Sequence, residues 1–185
     1  MSMRAPADRQ RIEHFLERLG QQARLPGRLY LVGGTTMVYE GFRATTMDID
    51  VLVEADDSGP LMGAIRSLKD ELDLNIEFAS PRDFIPLPAG WRERSVYIGR
   101  YGPLEVFHFD LYSMALSKIE RGTERDFQDV LALLRAGRLN MEQLASMFAE
   151  ILPRVAIEGL GGMDPDVFAE HFHYLREQFG ADETA

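Results

Sequence analysis

The stretch that decides the fold is LYLVGGTTMVYEGFRATTMDIDVLVE, residues 29–54. RLYLV (28–32) is a short apolar run that ends on Gly33-Gly34, the pattern of a strand entering a turn. Thr35-Thr36 can cap a following helix over roughly 36–41, with Met37, Val38 and Tyr39 turned inward. DIDVLVE (48–54) alternates, so Asp48 and Asp50 share the strand face opposite Ile49, Val51 and Val53. Glycines at a strand-to-helix turn let the backbone approach a bulky anion, because no Cβ intervenes. The N–H groups that open the next helix attract phosphate, and the two threonines add hydroxyl donors. Two carboxylates on one face are a hard-oxygen site for Mg²⁺ or Mn²⁺. A cation held there beside a phosphate cradle suits a phosphoryl-type displacement. Taken singly, a Gly-Gly turn or alternating acids also fit an ordinary half-buried strand. Their order, with thirteen residues between Gly34 and Asp48, is what carries the signal.

Working outward, Ile12, Phe15, Leu16 and Leu19 recur at helical spacing and predict an amphipathic helix over 8–23, stopped by Pro26-Gly27. Ser58-Gly59-Pro60 opens a helix reaching about Leu72, and LNIEFA (74–79) reads as a strand. Residues 80–93 hold three of the nine prolines and the single Trp, and read as an irregular loop. SVYIGR (95–100) and LEVFHFD (104–110), joined by Tyr101-Gly102-Pro103, form a predicted β-hairpin. Helices follow over about 111–121, 124–136, 140–151 and 165–179, separated by Gly122, Gly137 and the stretch 159–164. The expected fold class is therefore α/β (α+β): a mixed sheet of four or five strands with flanking helices, then a helical C-terminal region. The expected division is a core over 1–110, including the N-terminal helix, with a helical region over 111–185 packed on it.

Composition narrows the function classes. With 45% hydrophobic and 10% aromatic residues in 185, the chain can bury one substantial core. Cysteine is absent, which excludes a disulfide scaffold, a thiolate zinc site and a cysteine nucleophile. No apolar run approaches a membrane span, and the start MSMRAPADRQ lacks a signal-peptide core. The expectation is a cytoplasmic protein that does not engage a membrane. Twenty Lys+Arg against thirty Asp+Glu give −10, which argues against a surface that coats nucleic acid. Residues 1–50 sum to +1, whereas 151–185 alone sum to −5. Only Lys69 and Lys118 are lysines; the other cations are arginines.

The run hGG–x13–DID–hhh resembles the polymerase-β-like nucleotidyltransferase superfamily. A second block, DLYSMALSKIERGTERDFQDVLALL (110–134), resembles the K-x-x-R…RD-x-x-D segment of AbiEii-like nucleotidyltransferases, which are the toxin halves of bacterial toxin–antitoxin pairs. It is also similar to a related family of uncharacterised bacterial nucleotidyltransferases. The resemblance covers residues 28–135. It implies that Gly33, Gly34, Thr35 and Thr36 bind the nucleotide and that Asp48 and Asp50 bind metal. A third acid on a later strand is implied, with Glu77 in NIEFAS as first choice and Asp110 as its rival. It further maps the family's phosphate-binding lysine to Lys118 and its acids to Asp126 and Asp129. Arg43 and Arg94 are added as phosphate or substrate contacts.

Plainer readings stand beside these. Thr123-x-x-Asp126 fits a capping-box-like helix start, and Asp129 with Arg121 and Arg125 fits exposed ion pairs. Arg43 and Arg94 fit ordinary surface arginines, and Glu77 an exposed strand face. His14, His108, His171 and His173 show no ligand spacing. The expected activity is Mg²⁺- or Mn²⁺-dependent transfer of a nucleotidyl group from an NTP to a hydroxyl of RNA, a small molecule or a protein. A cognate antitoxin would be a partner. The alternative is a non-catalytic nucleotidyltransferase-like module that acts as a toxin–antitoxin or regulatory binding partner.

Overall fold

The computed structural model describes residues 4–158 and 162–183. Gly159, Leu160 and Gly161, part of the expected break at 159–164, lie outside the described residues. Two compact units emerge: one contains the residues up to Ser80 together with Ser95–Phe109, the other Pro81–Arg94 together with everything from Asp110 onward.

In the first unit, α1 (Arg9–Gln22) precedes β1 (Gly27–Leu31), α2 (Gly33–Tyr39), β2 (Ile49–Glu54), α3 (Gly59–Glu71) and β3 (Ile76–Phe78). The hairpin β4 (Val96–Tyr101) and β5 (Leu104–His108) completes its sheet. Strand order is β3-β2-β1-β5-β4. β1 runs antiparallel to β2 and parallel to β5, and β2 runs parallel to β3, so the sheet is mixed as expected. Asp8 caps α1 through the Arg11 N–H, and the helix buries Ile12, Phe15, Leu16 and Leu19. These pack with Leu29, Leu31, Ile49 and Val51 of the central strands and with Ile65 and Leu68 of α3, forming the unit's core. Gly102, at φ +58°, turns the hairpin so close to α1 that a Cβ there would lie 2.2 Å from the Gly20 carbonyl oxygen.

The second unit contains α4 (Trp91–Arg94), α5 (Leu111–Arg121), α6 (Glu124–Arg135), α7 (Met141–Glu158) and α8 (Pro165–Glu183). The supposed loop at 80–93 thus contains a 3₁₀ turn at Pro81–Asp83 and one turn of helix. Other boundaries move as well. α2 begins at Gly33 rather than Thr36, β3 is three residues rather than six, and α7 continues through Pro153 instead of ending near 151. The end of α3 explains the late start of β3: Asp73 takes φ 49° and the Leu74 N–H donates to the Lys69 carbonyl, so residues 72–74 close the helix C-terminus instead of extending the strand. The unit's core includes Phe148 stacked on Phe172 at 4.2 Å and set edge-on to Phe168 at 4.9 Å.

Candidate functional site

The antiparallel pairing of β1 with β2 brings the end of one strand to the start of the other, and so places the glycine turn against the DID motif. Val32 N–H donates to the Asp50 carbonyl at 3.1 Å. Gly33 has φ +57°, and a Cβ on it would lie 2.9 Å from Asp50 Oδ2. A Cβ on Gly34 would lie 2.7 Å from Thr46 Oγ1 and 3.5 Å from Arg43 Nη1. Both glycines are therefore needed for close approach, and Arg43 sits beside the second of them.

Thr35 and Thr36 are fully buried inside α2 rather than capping it; the cap position is Val32, with no side-chain bond. Thr35 Oγ1 accepts the Asp50 N–H at 2.7 Å and lies 3.5 Å from the Asp48 carbonyl oxygen. Thr36 Oγ1 donates to the Leu31 carbonyl at 3.0 Å. Their hydroxyls tie the turn to β2 and β1, a role their capping propensity did not suggest.

Asp48 occupies the bend before β2, and both it and Asp50 are half-buried, whereas Ile49 between them is fully buried. Asp50 stands in parallel register with Glu77 of β3, so the two carboxyl side chains share a sheet face on adjacent strands, and Glu77 is exposed. Asp50 and Glu77 offer on one face the hard oxygen donors that Mg²⁺ takes, next to backbone that only glycine allows, with Asp48 at the head of the strand. Among the described residues, however, no three His, Cys, Asp or Glu side chains already form a metal-holding group. Asp50 and Glu77 share a face without forming an assembled cage.

The remaining expected residues lie in the helical unit. Asp110 is fully buried and caps α5, accepting from the N–H groups of Tyr112 and Ser113 and from Ser113 Oγ at 2.7 Å. Arg94 grips the same carboxylate with two nitrogens, at 3.1 and 2.8 Å. Lys118 is 4% exposed, with its ammonium 2.7 Å from Asp129 and 3.3 Å from Asp126. Asp126 also accepts from Arg121 and from Thr123 Oγ1, and Thr123 caps α6 through the Asp126 N–H, the capping arrangement anticipated from Thr123-x-x-Asp126. Burial pushes the Asp126 carboxyl up, but the hydrogen bonds from Arg121 and Thr123 and the charge of Lys118 outweigh it. The net position is below the usual carboxylate range. Asp126 and Asp129 are thus buried partners of Lys118, not exposed surface acids.

A family model described as a nucleotidyltransferase of unknown function (DUF6036) matches residues 10–158, from α1 to the end of α7. The chain belongs to that family. The DUF6036 match spans both the glycine–DID unit and the Lys118 block, so a general nucleotidyltransferase role and a nucleotide substrate follow from membership. No curated protein and no solved structure matches the chain. No helix among the described residues is long and apolar enough to cross a membrane.

Two features of the site were not read from sequence. Thr46 flanks Gly34, and His108 backs α2: its ring nitrogens lie 3.3 Å from Thr36 Oγ1 and 2.9 Å from the Glu40 carboxylate, with Tyr39 edge-on at 5.3 Å. His108 and Thr36 are 72 positions apart, and no local spacing signals such a contact. The other histidines do not reach the glycine turn. His171 Nδ1 lies 2.9 Å from the Ile119 carbonyl oxygen at the end of α5, and His14 and His173 pair with glutamates on their own helices.

Proposed function

We propose that the chain is a metal-dependent nucleotidyltransferase whose NTP lies with its phosphates along the Gly33-Gly34 turn, which the buried Thr35 ties to β2. The observation that carries this reading is the Asp50 carboxylate set against Gly33 with Glu77 in register beside it. Asp48 and Asp50 would hold Mg²⁺ or Mn²⁺, which when bound neutralises phosphate charge and polarises the phosphorus under attack. Gly33, lacking a Cβ, lets the Asp50 carboxylate lie against the turn where the phosphates would sit, and Arg43 at Gly34 adds a fixed positive charge. Glu77, exposed on the same face, takes the proton of the acceptor hydroxyl or completes the metal site. It is preferred to Asp110, whose oxygens are already used by Arg94, Ser113 and the start of α5. The acceptor oxygen forms a bond to the α-phosphorus as the bond to pyrophosphate breaks.

The experiment is Mg²⁺-dependent release of pyrophosphate from labelled NTPs in the presence of RNA or lysate. Asp48→Ala and Asp50→Ala should each lower turnover by roughly 10²–10³-fold, the scale of losing one charge-stabilising group, with circular dichroism unchanged. Wild-type turnover in both variants would sink the assignment. Calorimetry separates the non-catalytic alternative: Mg²⁺-ATP binding without turnover on any acceptor class favours a binding module. A toxin role rests on the likeness of residues 110–134 to AbiEii-like proteins. It predicts growth arrest on expression, abolished by Asp50→Ala.

A further inference from the structure

The segment Pro81–Arg94 leaves the sheet between β3 and β4 and belongs to the helical unit. Pro81, Pro86 and Pro88 restrict its backbone. Three hydrogen bonds then hold it in place. Arg154 Nη1 donates to the Leu87 carbonyl at 2.9 Å, the Ala89 N–H donates to Glu150 at 2.9 Å, and Arg94 Nη1 donates to the Ala89 carbonyl at 2.6 Å. The result is a preformed wall facing the last turns of α7.

Between that wall and α7 opens a cavity of about 690 Å³, inside the range of roughly 300–1,000 Å³ typical of small-ligand sites. Its charged lining consists of Arg82, Arg92 and Arg154 with Glu93 and Glu158. Three cations to two acids reverse the sign of a chain that has twenty cations and thirty acids. Trp91, the only tryptophan, is half-buried in the lining, and the Arg92 guanidinium carbon lies 4.3 Å from its ring centre. An indole with a guanidinium layered on it presents the flat π surfaces on which nucleobases stack. Leu87 and its flanking prolines add an apolar edge.

We infer that this cavity binds a nucleotide, its base stacked on the Trp91–Arg92 layer and its phosphate held by Arg82, while Arg154, paired with Glu158 at 2.8 Å and bonded to the Leu87 carbonyl, fixes the wall. A free mononucleotide and the terminal nucleotide of an RNA strand present the same chemistry. Its lining, drawn from residues 82–93 and α7, shares no residue with the proposed catalytic site.

The single tryptophan makes fluorescence a direct reporter. The full chain, with divalent cations chelated so that the metal–NTP site stays unfilled, is titrated with AMP and separately with a short single-stranded oligoadenylate. Saturable quenching is expected with at least one of them: by AMP for a free nucleotide, by the oligonucleotide alone for a strand end. Arg82→Ala combined with Arg92→Ala should weaken binding at least about tenfold, whereas Asp50→Asn should bind as wild type. Arg82→Gln alone serves if circular dichroism shows the double variant to be unfolded. Three results would overturn the inference: no saturable quenching with either ligand, undiminished binding in the arginine variants, or binding lost in Asp50→Asn. The last would place the nucleotide at the glycine turn. Failure here is distinguishable from failure of the catalytic reading, which is measured by turnover.

Discussion

Gly33 concentrates the demands on a single residue. Its φ of +57° is one that L side chains rarely adopt, and the space a Cβ would fill is held by the Asp50 carboxylate at 2.9 Å. Gly33→Ala should therefore cost about 1–2 kcal/mol for the left-handed backbone alone, and it should displace Asp50 as well. Urea denaturation should register the first effect, and NTP turnover falling further than Gly41→Ala the second. Gly41 is a fair control, since it has φ +84° but nothing within 4 Å of its would-be Cβ. Equal turnover in the two variants would show that the approach to Asp50 has no bearing on activity. Residues 33, 34, 48 and 50 were legible because strand alternation and glycine chemistry are local. Thr46 and His108 were not, since their meaning comes from neighbours that the sequence does not place beside them.

At the scale of elements, α5 and α6 are joined by the buried Lys118–Asp126–Asp129 cluster. Removing one partner of a buried ion group leaves uncompensated charge, so Lys118→Ala should destabilise the chain by roughly 3–5 kcal/mol. Thermal or urea unfolding measures this. A variant that keeps its stability and loses only nucleotide turnover would make Lys118 a phosphate ligand instead. The helical period of α1 was readable from its apolar positions, and the cap of α6 from Thr123. The lengths of β3 and α7 were not. β3 starts late because residues 72–74 close the end of α3, and α7 passes through Pro153 although that residue supplies no N–H.

For the whole molecule the charge of −10 matters through where the acids lie. Asp126 has a depressed native pKa, so its contribution is complete above the unfolded value of about 4 and is lost as pH falls through the native one. Glu120 behaves in the opposite way. Burial raises its pKa against the pull of His171 and Arg121, so its ionisation costs stability as pH rises past the unfolded value. Denaturation midpoints measured from pH 3 to 7 should show Asp126→Asn flattening the acid limb and Glu120→Gln gaining stability toward neutrality. An unchanged acid limb in Asp126→Asn would refute the first assignment. By itself the sequence determined the five strands and the longer helices, the mixed α/β class, and the glycine–DID pair, because periodicity, turn chemistry and short spacing are local properties. Only the tertiary structure decided that Asp50 meets Gly33, that Glu77 stands in register with Asp50, and that Asp110 and Lys118 are consumed by buried partners. Those facts depend on strand pairing and helix packing between distant residues, and burial determines which charges remain available for chemistry.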